Sequence, residues 1–152
     1  MITPAALLDS NIVVACLARA HEHHAASAAI VNECDAGTFA VAAHSFAEAY
    51  ATLTRNIPFG FTADEARAGL ESVRAATNLI GLTPSQTFDT VRRFAAAGGI
   101  GALLYDALIG QVAVAHGIPA IVTWNTRHMA GLFPNLIVAT PARYLAGRSR
   151  RS

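Results

Sequence analysis

The sequence predicts an α/β domain, a parallel sheet with helices on both faces. Three observations predict it. Short apolar runs alternate with longer segments of helical periodicity along the chain, the pattern of successive βαβ units. The short runs are apolar at nearly every position rather than at alternate ones, as strands covered on both faces are. The 152 residues are 53% hydrophobic. Size scaling then gives about 68% of the unfolded surface buried, enough for a core in three layers.

Each element has a local reason. Ala6–Leu8 reads as a buried strand. Asn11 to Ala20 reads as a helix, and His24 to Asp35 as a second, closed by Gly37. Thr38–Ala42 is strand two. Ser45 to Arg55 is helical, with Phe46, Ala49, Tyr50 and Leu53 on one face. Pro58 and Gly60 break the chain. Thr62 with Glu65 forms a capping box for a helix to about Thr77. Asn78–Leu82 is a strand, and Pro84 opens a helix to about Ala97. The loop Gly98–Gly101 leads to a helix from Leu103 to His116. Ile118–Thr123 and Ile137–Ala139 are the last strands. Residues 1–146 read as one domain, and residues 147–152, with Arg148, Arg150 and Arg151, as a basic disordered tail.

Composition excludes several chemistries. The chain has no lysine, so a P-loop, a Schiff-base enzyme and a phospho-acceptor receiver domain cannot be built in their usual form. A net charge of +1 gives no basic surface for non-specific duplex binding. Cys16 and Cys34 lie in apolar helical stretches and read as small core residues. The N-terminal residues show no charged leader pattern. No apolar run approaches the roughly 20 residues of a membrane span. A soluble, cytoplasmic protein without membrane association is expected.

In a parallel sheet the site lies at the carboxyl ends of the strands. Asp9 follows strand one and Glu48 follows strand two. Asp106 opens a strongly apolar helix, and Asn125 follows strand four. Each has a structural explanation: caps for Asp9 and Asn125, a Ser45–Glu48 capping box, and a helix dipole for Asp106. Ser10 could cap in place of Asp9. Together, three carboxylates and an amide at one sheet edge stand out in a chain with ten acidic residues. Converging carboxylates repel unless a cation intervenes. Oxygen ligands of this kind suit Mg2+, and metal-assisted phosphodiester hydrolysis is the corresponding chemistry.

In order and spacing, Leu7-Leu8-Asp9-Ser10-Asn11, Ser45 to Glu48 with Tyr50, Tyr105-Asp106-Ala107-Leu108-Ile109 and Thr123-Trp124-Asn125-Thr126-Arg127-His128 resemble PIN-domain ribonucleases, specifically the VapC-type toxins of VapBC toxin–antitoxin modules. The resemblance covers nearly the whole chain. It implies a PIN-like three-layer fold with four or five parallel strands and a Mg2+-dependent endoribonuclease, with Mn2+ able to substitute. It implies Asp9, Glu48 and Asp106 as metal ligands and catalytic residues, joined by Asn125 where the family usually has aspartate. That departure leaves three negative charges rather than four. Ser10, Asn11, Thr123, Arg127 and His128 become contacts to substrate or to its phosphates. The implied partners are RNA, a cognate VapB-type antitoxin, and a second copy in a homodimer or larger assembly.

Other features read more plainly. The cluster His21-Glu22-His23-His24 has the wrong spacing for a metal-binding helix face and reads as a solvated turn. His44 reads as a satisfied structural histidine, and Trp124 as packed. The Gly98–Gly101 loop lacks a dinucleotide-binding context. A phosphatase on a similar sheet would want a second acid two residues after Asp9, where Asn11 stands. A non-catalytic module that binds RNA or protein, its site degenerate at Asn125, is the competing reading.

Overall fold

A computed structural model describes residues 2–32 and 35–151. Cys34 therefore lies outside the described residues, and Cys16 is a free, half-buried thiol. The elements run β1 Ala6–Leu8, α1 Ser10–Leu17, α2 His24–Asn32, β2 Phe39–Ala42, α3 Ala43–Leu53, α4 Ala63–Ala76 and β3 Asn78–Ile80. They continue with α5 Pro84–Ala96, α6 Leu103–Ala115, β4 Ala120–Val122, α7 Thr126–Leu132, β5 Ile137–Ala139 and α8 Pro141–Ser149.

All five strands are parallel, in the order β3-β2-β1-β4-β5. Strand side chains point alternately to the two faces, so each strand feeds two cores. Leu8, Val41 and Val122 join residues of α1, α2, α3 and α4 on one face. Leu7, Ala40, Ala42 and Ile121 join Ile109, Val112 and Ala113 of α6 and Met129 of α7 on the other. Helix α5 packs outside α6. No helix among the described residues is long and apolar enough to cross a membrane.

Three differences from the sequence reading matter. Helix α3 begins at Ala43, not Ser45, and its N-cap Ala42 offers no side-chain bond. The Ser45–Glu48 capping box therefore does not exist; Ser45 is fully buried within the first turn of the helix. Helices α7 and α8 were not expected. They are short, and what holds α8 is tertiary: Tyr144 and Leu145 pack on the first core, with Pro141 setting the first turn. Helix α8 also takes in Gly147, Arg148 and Ser149, so the disordered tail does not start at residue 147.

Candidate active site

The strand order reverses direction between β1 and β4, which makes the carboxyl ends of those strands the natural crevice. Asp9 leaves the end of β1, its backbone N–H still bonded to the Val122 carbonyl at 3.0 Å. It is also the N-cap of α1, accepting the Ser10 backbone N–H at 2.7 Å, so Asp9 and not Ser10 caps this helix. Its second oxygen accepts the Thr123 hydroxyl at 2.8 Å. Burial nevertheless pushes the Asp9 carboxyl up; the Thr123 and Ser10 bonds pull the other way, and Asp106 adds repulsion.

Thr123, fully buried at the end of β4, is a junction. Its hydroxyl oxygen also accepts the Asn11 side-chain amide at 3.2 Å and the Asn125 backbone N–H at 3.0 Å. The Asn11 carbonyl in turn accepts the Trp124 backbone N–H at 3.3 Å. The polar groups of Asn11 and Thr123 are thus spent on holding Asp9 and the loop after β4.

Glu48 lies on α3, half-buried. Burial first, then the charges of Asp9 and Asp106, push its carboxyl up to about 7. Its Oε1 atom is buried without a hydrogen-bond partner. Asp106 reaches the same place from the first turn of α6. Its Oδ2 accepts the His128 Nδ1–H of α7 at 2.6 Å, a short charged bond that fixes both side chains.

The structure therefore brings Asp9, Glu48 and Asp106 within electrostatic reach of one another, Glu48 from one helical layer and Asp106 from the other. Among the described residues no three His, Cys, Asp or Glu side chains already form a closed metal-ligand set. Asn125 stands at the N-cap position of α7 without capping it, its side chain exposed. It lines a groove of about 580 Å³ with Trp124, Arg127 and His128 along α7.

Two histidine readings change. His44 is not satisfied: its Nε2 is buried without a bond, 3.6 Å from Glu48 Oε1, and burial lowers its pKa. The sequence signal for it was present as the i, i+4 spacing to Glu48. The turn His21–His24 is less solvated than its composition suggests. The His23 ring stacks on Trp124 at 3.8 Å and His24 Nδ1–H donates to the Ala15 carbonyl at 2.9 Å. Trp124 is packed as expected, its Nε1–H donating to the buried Ser27 hydroxyl at 3.0 Å.

Comparison with known proteins gives a consistent picture. The family model of the PIN domain matches residues 6–130. No curated protein matches the sequence. Among solved structures, the chain superposes on Mycobacterium tuberculosis VapC20, a sarcin–ricin-loop-cleaving toxin, with a TM-score of 0.67 at 13% identity, covering 83% of this chain and 94% of that one. PAE2754 from Pyrobaculum aerophilum gives 0.64 at 20% identity, over 99% and 98% of the two chains. VapBC2 from Rickettsia felis, bound to a DNA fragment from its promoter, gives 0.60 at 19% identity, over 88% and 96%. At these identities the likeness is one of fold.

Proposed function

The chain belongs to the PIN domain family, and from that premise we propose that it is the toxin of a type II toxin–antitoxin module, a metal-dependent endoribonuclease. One observation carries the reading. Three carboxylates converge on the crevice between β1 and β4, and burial, with the charges of the other two, pushes Glu48 up to about 7. A carboxylate left in such repulsion, with an oxygen that bonds to nothing, has the character of an incomplete cation site.

Asp9, Glu48 and Asp106 would hold Mg2+ or Mn2+, with Asn125 offering a neutral oxygen at the rim. The ion, when bound, lowers the pKa of a coordinated water and neutralises phosphate charge. The protein's own residues do the positioning. Thr123 and the Ser10 backbone fix the Asp9 carboxylate; His128 fixes that of Asp106. Glu48, with a buried oxygen that bonds to nothing else, would ligate the ion or orient the attacking water. Asn11 and Thr123 act through these bonds, and exposed Arg127 is the group free to meet an RNA phosphate. A VapB-type antitoxin is the proposed partner, with a homodimer or larger assembly and cytoplasmic action.

A second reading, a module that binds RNA or protein without cutting it, is favoured by Asn125 and by the lack of a closed three-ligand set among the described residues. One experiment separates the two: induce the wild type and Asp9→Asn in cells, follow growth, and sequence new RNA 5′ ends. Arrest with discrete 5′-phosphate ends, both lost in Asp9→Asn, is expected. Arrest that persists in the mutant without new ends would overturn the nuclease reading in favour of the binding module.

A further inference from the structure

Two buried atoms beside the acidic crevice face one another and bond to nothing. They are His44 Nε2 and Glu48 Oε1, 3.6 Å apart. That separation is too long for a hydrogen bond. Both side chains leave the same face of α3 because they are four residues apart. Histidine and a second ligand at i, i+4 is the spacing by which one helix presents two donors to one metal ion. A small rotation of either side chain would bring the two atoms to the closer spacing that an octahedral ion such as Mn2+ takes between adjacent ligands.

We infer that His44 Nε2 is a nitrogen ligand to the divalent cation held by Glu48, so that the pocket prefers a transition ion such as Mn2+ over Mg2+. The inference rests on the metal-dependent reading above. Carboxylates and water serve Mg2+ well, whereas imidazole adds affinity for ions along the first-row series and little for Mg2+. His44 explains both unbonded atoms at once: one ion completes the imidazole and the carboxylate together. The other histidine at the crevice, His128, already uses its Nδ1–H on Asp106 and sits across the site on α7.

The test uses the full chain, stripped of metal and grown on ¹⁵N-histidine, then loaded with one equivalent of Mn2+. Pulsed electron paramagnetic resonance reads whether a histidine nitrogen is bonded to the ion. The wild type and His128→Gln are expected to show a directly bonded ¹⁵N, and His44→Gln to lose it. By calorimetry His44→Gln should weaken Mn2+ at least about tenfold and Mg2+ less than about threefold. Mn2+ bound with oxygen neighbours only would overturn the nitrogen ligand and leave the metal-dependent reading standing. A nitrogen signal that survives in His44→Gln and disappears in His128→Gln would also overturn it. Failure of the wild type to bind Mn2+ would sink both readings. If His44→Gln does not fold, the wild type and His128→Gln still decide: loss of the nitrogen in His128→Gln overturns the inference.

Discussion

Replacing Glu48 by glutamine should stabilise the metal-free protein above neutral pH while removing a proposed ligand to the cation. Glu48 titrates at about 7 in the folded chain against 4.5 for the free side chain. Between those values the folded state binds more protons than the unfolded one. Stability contributed by this group is therefore full below about pH 4.5 and is lost as pH rises through about 7. The span, about 2.5 in pH, corresponds to at most about 3.5 kcal/mol at roughly 1.4 kcal/mol per pH unit. The side chain is 30% exposed, and water screens part of the repulsion, so about 1–2 kcal/mol is the expected loss between pH 5 and pH 8. Glutamine mimics the protonated acid and should abolish that slope. The assay is urea unfolding in a chelator at pH 5, 6, 7 and 8. Asp9, also pushed up, and His44, pushed down, titrate in both proteins, so the difference between the two curves reports Glu48 together with its coupling to these neighbours. Saturating Mg2+ or Mn2+ should then stabilise the wild type at pH 8 and Glu48→Gln much less. A glutamine variant less stable than wild type at pH 8, or with an unchanged pH slope, would refute the electrostatic account of the site.

Two further outcomes test the scaffold. Thr123→Val keeps the shape of a fully buried side chain but removes the donor to Asp9 and the acceptor for Asn11 and Asn125, so a loss of about 2 kcal/mol is expected in chemical denaturation at pH 7. A loss below about 0.5 kcal/mol would mean that the hydroxyl is not the junction described. Gly110→Ala on α6 sets a gain of about 1 kcal/mol in helix propensity against a clash. The added Cβ would stand 1.9 Å from Phe133 Cε2 and 2.1 Å from its Cζ. Overpacking of that kind costs about 1–3 kcal/mol and more where the neighbour cannot move, so a melting temperature lowered by several degrees is expected. An unchanged or raised melting temperature would show that the Phe133 ring yields freely.

What could be read from the sequence follows from how local the cause is. Strand β5 falls on the residues its apolar run marks, and Thr62 with Glu65 caps α4 as the pattern requires. Those signals need only neighbours in the chain. The start of α3 does not: Ser45 looks like a cap, but packing of Ala49 and Leu53 in the first core outweighs that preference and the helix starts back at Ala43, leaving the Ser45 hydroxyl buried without a partner. The same holds for α7 and α8, each too short to be stable alone and fixed by packing through Met129 and Tyr144. At the site the carboxylates were legible because charge is rare in this chain. The bond from His128 to Asp106 joins residues 22 apart on different helices, and the open contact between His44 and Glu48 depends on where the helix begins. No pattern in the sequence reports the first, whereas the i, i+4 spacing is the visible trace of the second.

Strand order explains why the charges meet where they do. After β1 the chain packs α1 on one face of the sheet; after β4 it packs α7 on the other. Between these two neighbouring strands the outgoing segments part, and Asp9 and Thr123 stand on either side of the gap. Glu48 enters from α3 in the layer of α1, and Asp106 from α6 in the layer of α7. The repulsion among them is thus borne at one end of the sheet, outside both apolar cores. It acts between the two helical layers, so a cation that relieves it would add to the bonds of Asp9 and Asn11 with Thr123 in tying those layers together. The same placement accounts for the weight of Thr123. It is the one buried hydroxyl that links the end of β4 to the carboxylate at the end of β1, and through Asn125 it sets where α7 starts. Its bond therefore governs the position of His128 and, through His128, that of Asp106.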